Sequence, residues 1–296
     1  MKLPVTALIA AKNEATNIEH CLKSLTSFER VILLDSESSD GTAAAAALRG
    51  AEVVQFHYSG GYPKKRQWAL EQLPISTPWV LLIDADESLP AELIDEIASA
   101  VASPHSCDAY LIRKGFHFLG RKFRFGGFSH SAIMLLKTGK ARFEQLLQDD
   151  ARALDMEIHE RLLVEGSVGT LHTPLIHRDV KGLEAYIDRH NKYSTWEARV
   201  RSRYLRNEHH AGDTVRAKVF GNVQEQRRFL KMIAIRIPGE PYLWFLYHYI
   251  IRLGFLEGWP GLLASQLRCQ YISHVRAKMR EMRDRASGRS DSSRES

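Results

Sequence analysis

Acidic residues follow two apolar runs of strand length in the first hundred residues. Asp35 ends the run RVILLD, and Asp84 and Asp86 end the run WVLLIDAD. Carboxylates at alternate strand positions project to the same side, and carboxylate oxygens are preferred ligands of Mg²⁺ and Mn²⁺. A DxD spacing alone is also typical of helix-capping loops. Its place after a buried strand, with Asp35 ending the neighbouring strand, favours a divalent-cation site.

A basic cluster lies between the two acidic segments. Lys64, Lys65 and Arg66 stand directly before Gln67. Lysine and arginine side chains bind phosphate oxygens, and a cation held by two carboxylates leaves coordination positions for phosphate. The combination predicts a diphosphate ligand. The chain contains neither a GxGxxG loop nor a GxxxxGK[ST] loop, which disfavours NAD enzymes and P-loop NTPases.

Alternating strands and helices must position these side chains. The apolar runs are LPVTALIA (3–10), RVILLD (30–35), EVVQFHY (52–58) and WVLLIDAD (79–86), and the helix-like stretches are 16–26, 42–49, 63–73 and 90–102. Continuously apolar strands alternating with helices predict an α/β fold with a mostly parallel sheet covered on both faces. Ligands of such sheets bind beyond the carboxyl ends of the strands. The polar residues after each run should therefore form the site.

The pattern changes twice further along the chain. Short strands and glycine turns over 108–178 predict a short antiparallel extension that completes the site. Helical patterns follow at 182–206, 214–235, 241–256 and 261–285, and the polar end predicts a disordered tail. The expected organisation is a catalytic domain over 1–180, a helical C-terminal region over 181–285 and a tail over 286–296.

Composition narrows the class of protein. The chain has 296 residues and is 44% hydrophobic, which excludes wholesale disorder and collagen-like repeats. Its three cysteines lack paired spacing, as expected in a reducing compartment. We expect no simple transmembrane helix, because no uncharged apolar run reaches spanning length. Charge is uneven: 21 basic and 25 acidic residues over 1–189 give −4, whereas 20 and 10 over 190–296 give +10.

The order of the motifs resembles the family 2 glycosyltransferases with the GT-A fold. The resemblance is carried by KNE after the first strand, VILLDSESSDGT, the basic segment before Gln67, and WVLLIDADE. The segments HERLLVEGSVGTL, IHRDV and GFLEGWPGLL extend it to the branch that includes lipopolysaccharide-core β-1,4-glucosyltransferases, over most of 3–275. It implies a GT-A-type, Rossmann-like sheet and an inverting, metal-dependent transfer of a hexose. The expected donor is a UDP-linked sugar, and the expected acceptor is a lipid-linked or cell-surface glycan such as lipopolysaccharide core.

The resemblance also implies a donor site with Mn²⁺ or Mg²⁺. Asp35 matches a carboxylate that contacts the nucleotide base, and Glu37 stands where relatives often carry glycine. From the residues alone, Asp35 could instead cap the helix that begins near Thr42, Glu14 could be an ordinary helix-start glutamate, and His177 could be a structural histidine. The implied nucleotide-sugar-binding residues are Ala11, Asn13, Glu14, Asp35, Arg66, Asp84 and His177, and the implied metal ligand is Asp86.

Glu160 is the candidate general base. The reaction needs a carboxylate that takes a proton from the acceptor hydroxyl while its oxygen attacks the anomeric carbon. The family carries a carboxylate at this place. The alternative is an exposed glutamate paired with Arg161.

The basic C-terminal third contains an unusually aromatic segment. Residues 241–263, PYLWFLYHYIIRLGFLEGWPGLL, combine two tryptophans and three tyrosines with aliphatic side chains. Interfacial helices place such aromatics at headgroup level with Lys and Arg outward. This predicts peripheral attachment to an anionic membrane, on the cytoplasmic face of the inner membrane; a helical lid on the catalytic domain is the alternative. No nucleic-acid-binding motif accompanies the basic residues, so no nucleic-acid partner is expected.

Two other classes of function remain to be distinguished. A nucleotide-sugar-binding protein without turnover would need Asp35 and Asp86 but would tolerate the loss of Glu160. A membrane-associated scaffold would need neither the strand-end carboxylates Asp35 and Asp86 nor Glu160. A nucleotidyltransferase is disfavoured because AAKNEA lacks the glycine-rich loop after the first strand.

Overall fold

The computed structural model describes residues 2–146, 155, 157, 160–178, 180–206, 219–220 and 223–287, and the side chains of 223, 224, 227, 228 and 231 are left aside. Its strands are β1 (Leu3–Ala11), β2 (Phe28–Asp35), β3 (Glu52–Gln55), β4 (Trp79–Asp84), β5 (Glu87–Ser88), β6 (Ala109–Phe118), β7 (Arg121–Lys122), β8 (His130–Lys137), β9 (Ala141–Phe143), β10 (Leu162–Val164), β11 (Val168–Thr170) and β12 (Leu175–His177). Its α-helices are α1 (Ala15–Lys23), α2 (Thr42–Leu48), α3 (Lys65–Gln72), α4 (Ala91–Ala102), α5 (Gly182–Leu205), α6 (Val223–Ala234), α7 (Glu240–Leu246) and α8 (Trp259–Ala286).

A parallel block forms one half of the main sheet. The strand order is β3-β2-β1-β4-β8-β6-β12-β5, and the first four strands are mutually parallel. Ala11 pairs with Asp35 across β1 and β2, and Ala10 pairs with Asp84 across β1 and β4. The carboxyl ends of three strands therefore meet at one edge of the sheet, as the sequence predicts.

Helices cover both faces of this block because successive side chains point to opposite faces. Val5, Ala7 and Ile9 of β1 pack in one core with residues of α1, α2 and α4. Leu8 packs in the other core with residues of α3, β9 and β10. This arrangement confirms the predicted α/β, GT-A-type architecture.

The extension after α4 is only partly antiparallel. β8 pairs antiparallel with both β4 and β6, as predicted. β11 and β12 instead run parallel to β6, which differs from the predicted antiparallel pairing. β11 pairs with residues 109–111 of β6 and β12 with residues 114–116, so the two short strands follow one another along β6. β12 thereby reaches the end of β5, where His177 pairs with Glu87.

The chain divides into two compact units. One unit contains residues up to 123 and 128–182, and the other contains 124–127 and the chain from 183 onward. The expected boundary after residue 180 lies close to this division, whereas the excursion of 124–127 into the second unit is not apparent from sequence. Within the predicted helix 214–235, residues 214–218, 221 and 222 lie outside the described residues, as does the expected tail from residue 288 onward.

A buried ionic network connects three helices of the second unit. The guanidinium of Arg201 donates to Glu197 on its own helix α5 and to both carboxylate oxygens of Glu240 on α7, at 2.9 Å in each case. Tyr271 of α8 donates to the second oxygen of Glu197 at 2.6 Å. All four residues are buried. Because breaking a buried pair leaves an uncompensated charge, this network fixes how α5, α7 and α8 pack.

The predicted helix over 241–256 is wrong in its second half. α7 ends at Leu246, a π-helical segment covers Tyr247–Ile251, and a 3₁₀ turn covers Gly254–Glu257. Leu253 adopts a left-handed backbone with φ 58° between the two segments. Among the described residues, no helix is both long and apolar enough to span a bilayer.

Gly115 allows β12 to lie close to β6, and its replacement should disturb the site. A Cβ at Gly115 would stand 2.8 Å from the carbonyl oxygen of Leu175. We expect Gly115→Ala to cost about 1–3 kcal/mol of stability, because the neighbouring backbone must shift, and to weaken nucleotide binding through displaced His177. Urea denaturation and nucleotide titration measure the two effects.

Gly120→Ala provides the matched control for this substitution. Gly120 has φ 75° with nothing within 4 Å of an added Cβ, so its replacement introduces backbone strain without a clash. We expect the control to lose stability while keeping nucleotide affinity. Equal nucleotide affinity in both variants would contradict the positioning role of Gly115.

Candidate active site

An ionic network with little solvent exposure surrounds the end of β4. One oxygen of Asp84 accepts a hydrogen bond from Arg66, and the other accepts one from Lys114 at 3.0 Å. Lys114 also lies 2.6 Å from Glu87, whose side chain has no exposed surface. Burial alone would raise the pKa of Asp84, but Arg66 and Lys114 hold that pKa well below its usual range. Asp84 is therefore ionised and held by two cations.

Asp86 presents its carboxylate to His177. The Nε2 atom of His177 lies 3.2 Å from an Asp86 oxygen, and the Asp86 backbone carbonyl accepts the N–H of Arg178 at 3.0 Å. Burial alone would lower the pKa of His177, but the hydrogen bond to Asp86 raises it to about 9. The Asp86 side chain keeps 14% of its surface exposed. The structure thus brings together the predicted metal ligand and one predicted donor-binding residue.

The loops after β1 and β2 are joined by direct hydrogen bonds. The N–H of Asn13 donates to the hydroxyl of Ser38 at 2.8 Å, and the N–H of Ser39 donates to the Asn13 side chain at 2.9 Å. Asn13 and Glu37 both adopt left-handed backbones, with φ 54° and 55°. Glycine adopts this conformation without strain, so the structure explains why a glycine would suit position 37.

Asp35 organises the second loop from a buried position. Its carboxylate accepts hydrogen bonds from the hydroxyl of Ser38 at 2.5 Å, from the N–H of Ser38 at 3.1 Å, and from Gln55 at 3.0 Å. The alternative of a helix cap is wrong, because Asp40 accepts the N–H and hydroxyl of Thr42 at the start of α2. Asp35 is 1% exposed, so contact with a base requires rearrangement of the Ser38 loop.

Glu14 precedes α1 without capping it through its side chain. Its two oxygens instead accept hydrogen bonds from Lys181 at 2.5 Å and from Asn17 at 2.8 Å. Nearby, the backbone carbonyl of Ala11 accepts a hydrogen bond from the buried ammonium of Lys65 at 2.8 Å. Glu14 and Ala11 therefore join the strand edge to two lysines: Lys65 of the predicted basic cluster, and Lys181, which the sequence analysis did not assign to the site.

Glu160 is buried and paired with Lys64. The side chains are 3% and 6% exposed, and one oxygen of Glu160 contacts the Lys64 ammonium. The alternative of an exposed glutamate paired with Arg161 is therefore wrong. The other oxygen, Oε2, has no hydrogen-bond partner among the described residues. Burial raises the pKa of Glu160 to about 7, against the opposing effect of Lys64.

Lys64 and Glu160 line a small pocket that opens to solvent. Its other walls include Tyr62, Phe143 and Glu157. Glu157 accepts the backbone N–H groups of Arg66 at 3.2 Å and Gln67 at 2.9 Å, and so caps the first turn of α3. The pocket combines an apolar wall with a carboxylate of near-neutral pKa, which suits the activation of a hydroxyl group.

Several residues of the site escaped the sequence analysis. Lys114 lies on the same side of β6 as the buried Ile112, and a lysine on the apolar side of an alternating strand was the available signal. Glu157 gave no such signal, because its partners are backbone groups. Lys64–Arg66 formed a recognised cluster, but the sequence did not show that each would pair with a carboxylate: Glu160, Asp155 and Asp84, respectively.

The donor set at Asp86 suits a divalent cation that also binds phosphate. Magnesium commonly uses one or two carboxylates together with substrate phosphates rather than a complete protein cage. Asp86 keeps exposed surface, whereas both oxygens of Asp84 are engaged by cations. Across the described ranges, no group of three or more His, Cys, Asp or Glu side chains is placed to hold an ion by itself.

The sequence has relatives among glycosyltransferases. Residues 6–151 match the family described as Glycosyl transferase family 2. The lipopolysaccharide core biosynthesis glycosyltransferase LpsC of Rhizobium meliloti is 30% identical over 203 residues, which cover 67% of this chain and 71% of that protein. An uncharacterized glycosyltransferase of Rickettsia typhi is 28% identical over 94% of this chain and 87% of its own. One from Rickettsia conorii is 43% identical, but the match spans 37% of its length.

Solved structures give more distant matches. The mannosyltransferase PcManGT from Pyrobaculum calidifontis, in complex with GDP-Man and Mn²⁺, matches with a TM-score of 0.46 and 16% identity over 94% of this chain and 87% of that chain. Glucosyl-3-phosphoglycerate synthase from Mycobacterium tuberculosis, in complex with Mn²⁺, UDP and its product, matches with a TM-score of 0.30 and 25% identity over 40% of this chain and 45% of its own.

Replacing Lys114 should destabilise the first unit. Lys114→Met removes the ammonium that Asp84 and Glu87 share, and we expect a loss of about 3–5 kcal/mol because buried carboxylate charge remains. Lys122→Met, on the exposed strand β7, is the matched control and should change stability by less than about 0.5 kcal/mol. Urea denaturation of the variants measures both values.

Adding Glu87→Gln to Lys114→Met tests the reason for this loss. Neutralising Glu87 removes one of the two charges left behind, so the double variant should be more stable than Lys114→Met alone. A Lys114→Met protein as stable as the wild type would contradict the role of the network.

Proposed function

The chain belongs to glycosyltransferase family 2, and we propose that it moves a hexose from a UDP-linked sugar to a glycan acceptor, with inversion at the anomeric carbon. A similar chain, LpsC, is named for lipopolysaccharide core biosynthesis, which supports an acceptor of the bacterial cell surface. We also propose that the enzyme works at the cytoplasmic face of the inner membrane, where lipid-linked acceptors are available.

The first turn of α3 carries this proposal. Lys64, directly before the helix, contacts Glu160, and Arg66, two residues later, contacts Asp84. One helix turn therefore joins the candidate base to the carboxylates at the end of β4. A donor held beyond β4 would place its sugar toward the pocket that Glu160 lines. This juxtaposition favours a transferase over a nucleotide-sugar-binding protein, which has no use for a buried carboxylate of near-neutral pKa.

Glu160 acts as the general base. Its free Oε2 atom accepts the proton of the acceptor hydroxyl while the hydroxyl oxygen forms its bond to the anomeric carbon. The bond from that carbon to the diphosphate oxygen breaks at the same time, and the electron pair leaves with the nucleoside diphosphate. Attack opposite the leaving group converts an α-linked donor into a β-linked product.

A divalent cation, Mn²⁺ or Mg²⁺, would be held by Asp86, with His177 beside it. Such an ion supplies charge stabilisation to a departing diphosphate. Arg66 and Lys114 keep Asp84 ionised and oriented at the strand end. We propose that Asn13, Glu14 and the carbonyl of Ala11 line the nucleoside part of the donor site, and that Asp35 supports the Ser38 loop against the base.

The pH dependence of the reaction should report Glu160. Because its pKa is raised to about 7, the carboxylate is protonated and inactive as a base at lower pH. We expect kcat/KM to rise with pH and level off above about 7. Glu160→Gln should retain UDP binding, lose this rise, and reduce turnover by roughly 100- to 10,000-fold. Steady-state rates against pH measure these effects.

Glu165→Gln is the matched control for the Glu160 prediction. Glu165 is exposed on the same hairpin, so the substitution makes the same chemical change outside the pocket. It should keep both the rate and the pH profile. Unchanged turnover in Glu160→Gln would remove Glu160 from the mechanism and favour another base.

Nucleotide and metal binding can be tested without knowledge of the acceptor. A ligand bound only to the native state at 100 times its Kd adds about 2.7 kcal/mol of stability, so we expect UDP with Mn²⁺ to raise the Tm by several degrees. Asp86→Ala should abolish the Mn²⁺-dependent part of the shift, whereas Asp95→Ala, at an exposed position of α4, should keep it. If GDP or CMP raised the Tm more than UDP does, the donor would be linked to that nucleotide instead of UDP.

A further inference from the structure

A large apolar surface lies on the second unit between Tyr242 and Trp259. Its side chains are 37–72% exposed, and together they form one stretch of chain that we call the apolar segment. Such a concentration of exposed apolar side chains in one short stretch of chain indicates an interaction site, since soluble proteins usually expose large apolar side chains singly. The exposed members of the apolar segment are Tyr242, Leu243, Leu246, Tyr247, Ile250, Ile251, Leu253, Phe255, Leu256 and Trp259.

Three polar side chains in or beside the apolar segment, Glu240, His248 and Glu257, are buried and hydrogen-bonded within the second unit. Both carboxylate oxygens of Glu240 accept hydrogen bonds from Arg201 at 2.9 Å, and Trp244 and Arg276 donate to the same carboxylate at 3.3 Å. Glu257 accepts the backbone N–H groups of Arg124 at 2.6 Å and Phe125 at 2.8 Å. His248 contacts the carbonyl of Gly126 at 2.7 Å. These contacts hold Glu240, His248 and Glu257 against the second unit, whereas the apolar side chains of the segment remain exposed.

The backbone of the apolar segment also keeps an apolar side chain partly exposed. Leu253 is 42% exposed and has φ 58°, a conformation that favours glycine over leucine. The N–H of Gly126 donates to the carbonyl of Arg252 at 2.7 Å and fixes the turn. A branched apolar side chain that remains 42% exposed in a left-handed turn gains only part of the burial that would offset its cost.

The charges around the segment have a single sign. Residues 226–280 contain nine Lys and Arg residues but only two acidic residues, Glu240 and Glu257. Both carboxylates are buried, at 1% and 5% exposure. Burial lowers the pKa of His248 to about 4, so this histidine is neutral. In contrast, Arg236 and Arg252 are exposed. The described surface of this stretch therefore presents apolar and cationic side chains and no carboxylate.

We propose that the apolar segment is a docking surface for an anionic lipid bilayer, with its aromatic and aliphatic side chains in the interfacial region and its arginines at the headgroups. Amphipathic segments bind membranes through buried apolar area together with attraction to anionic lipids, and each nearby Lys or Arg strengthens that attraction. The proposal extends the proposed function, because a lipid-linked acceptor is held at a membrane, and the observations that support it all lie in the second unit.

Vesicle co-sedimentation of the full chain tests the proposal. We expect binding to vesicles of phosphatidylcholine and phosphatidylglycerol in equal amounts, weaker binding to phosphatidylcholine alone, and a further loss at high salt. Ile251→Ser with Trp259→Ser should weaken binding at least tenfold. Leu48→Ser, which removes an 88% exposed leucine of α2 in the other unit, is the matched control and should bind as the wild type does.

Four results would overturn the proposal or part of it. The first is a wild-type chain that binds neither vesicle, and the second is a double variant that binds as well as the wild type. Equal binding to neutral and anionic vesicles would overturn the anionic assignment. A wild-type dimer that the double substitution dissolves, without vesicle binding, would assign the surface to a second copy of the chain instead.

A second measurement on the same samples separates this proposal from the proposed function. The UDP- and Mn²⁺-dependent rise in Tm should be equal in the wild type and the double variant, which also shows that the variant is folded. Vesicle binding without a nucleotide response would contradict the donor site alone. A nucleotide response without vesicle binding would contradict the docking surface alone.

Discussion

The site depends on four mutually paired charges at the end of β4, of which Glu87 is fully buried and the others are 13–23% exposed. Asp84 and Glu87 are held by Arg66 and Lys114, and these residues come from β4, β5, α3 and β6. Removing any one of them leaves a charge without compensation in a poorly solvated place, which costs more than a lost surface pair. Three strands and one helix must therefore keep their relative positions, and Asp86 follows because it lies two residues beyond Asp84.

The N-terminus of α3 connects this ionic network to the rest of the site. Glu157 satisfies its first backbone donors, while Lys64, Lys65 and Arg66 reach Glu160, the carbonyl of Ala11 and Asp84. Consecutive residues of a helix point in different directions, so one turn can contact three separate segments. The lysine that neutralises part of the charge of Glu160 is thus fixed by the same turn that orders the donor side.

Local periodicity predicts much of the fold, and long-range pairing explains what it misses. Apolar runs predict β1, β2, β3 and β4 because buried parallel strands are continuous in sequence, and the strand-end rule selects Asp35, Asp84 and Asp86. The strand-end rule cannot show which of these carboxylates is already paired with a lysine or arginine. Lys114 reaches Asp84 through β6, and Gln55 reaches Asp35 through β3, so these pairings depend on sheet order. The break after Ile251 also escapes periodicity, because apolar residues continue through it.

Charge balance at the strand end explains why the proposed reaction would need a cation. When ionised, Asp84 and Glu87 carry two negative charges, and Arg66 and Lys114 carry two positive ones. These four groups therefore offer no net positive charge to an incoming diphosphate, although they are rigid and well oriented. Any stabilisation of the leaving group must come from beyond them, and Asp86, which pairs with His177, is the carboxylate beside them. A cation held there adds the missing charge without unpairing Asp84, whose release would expose the buried charges of Arg66 and Lys114.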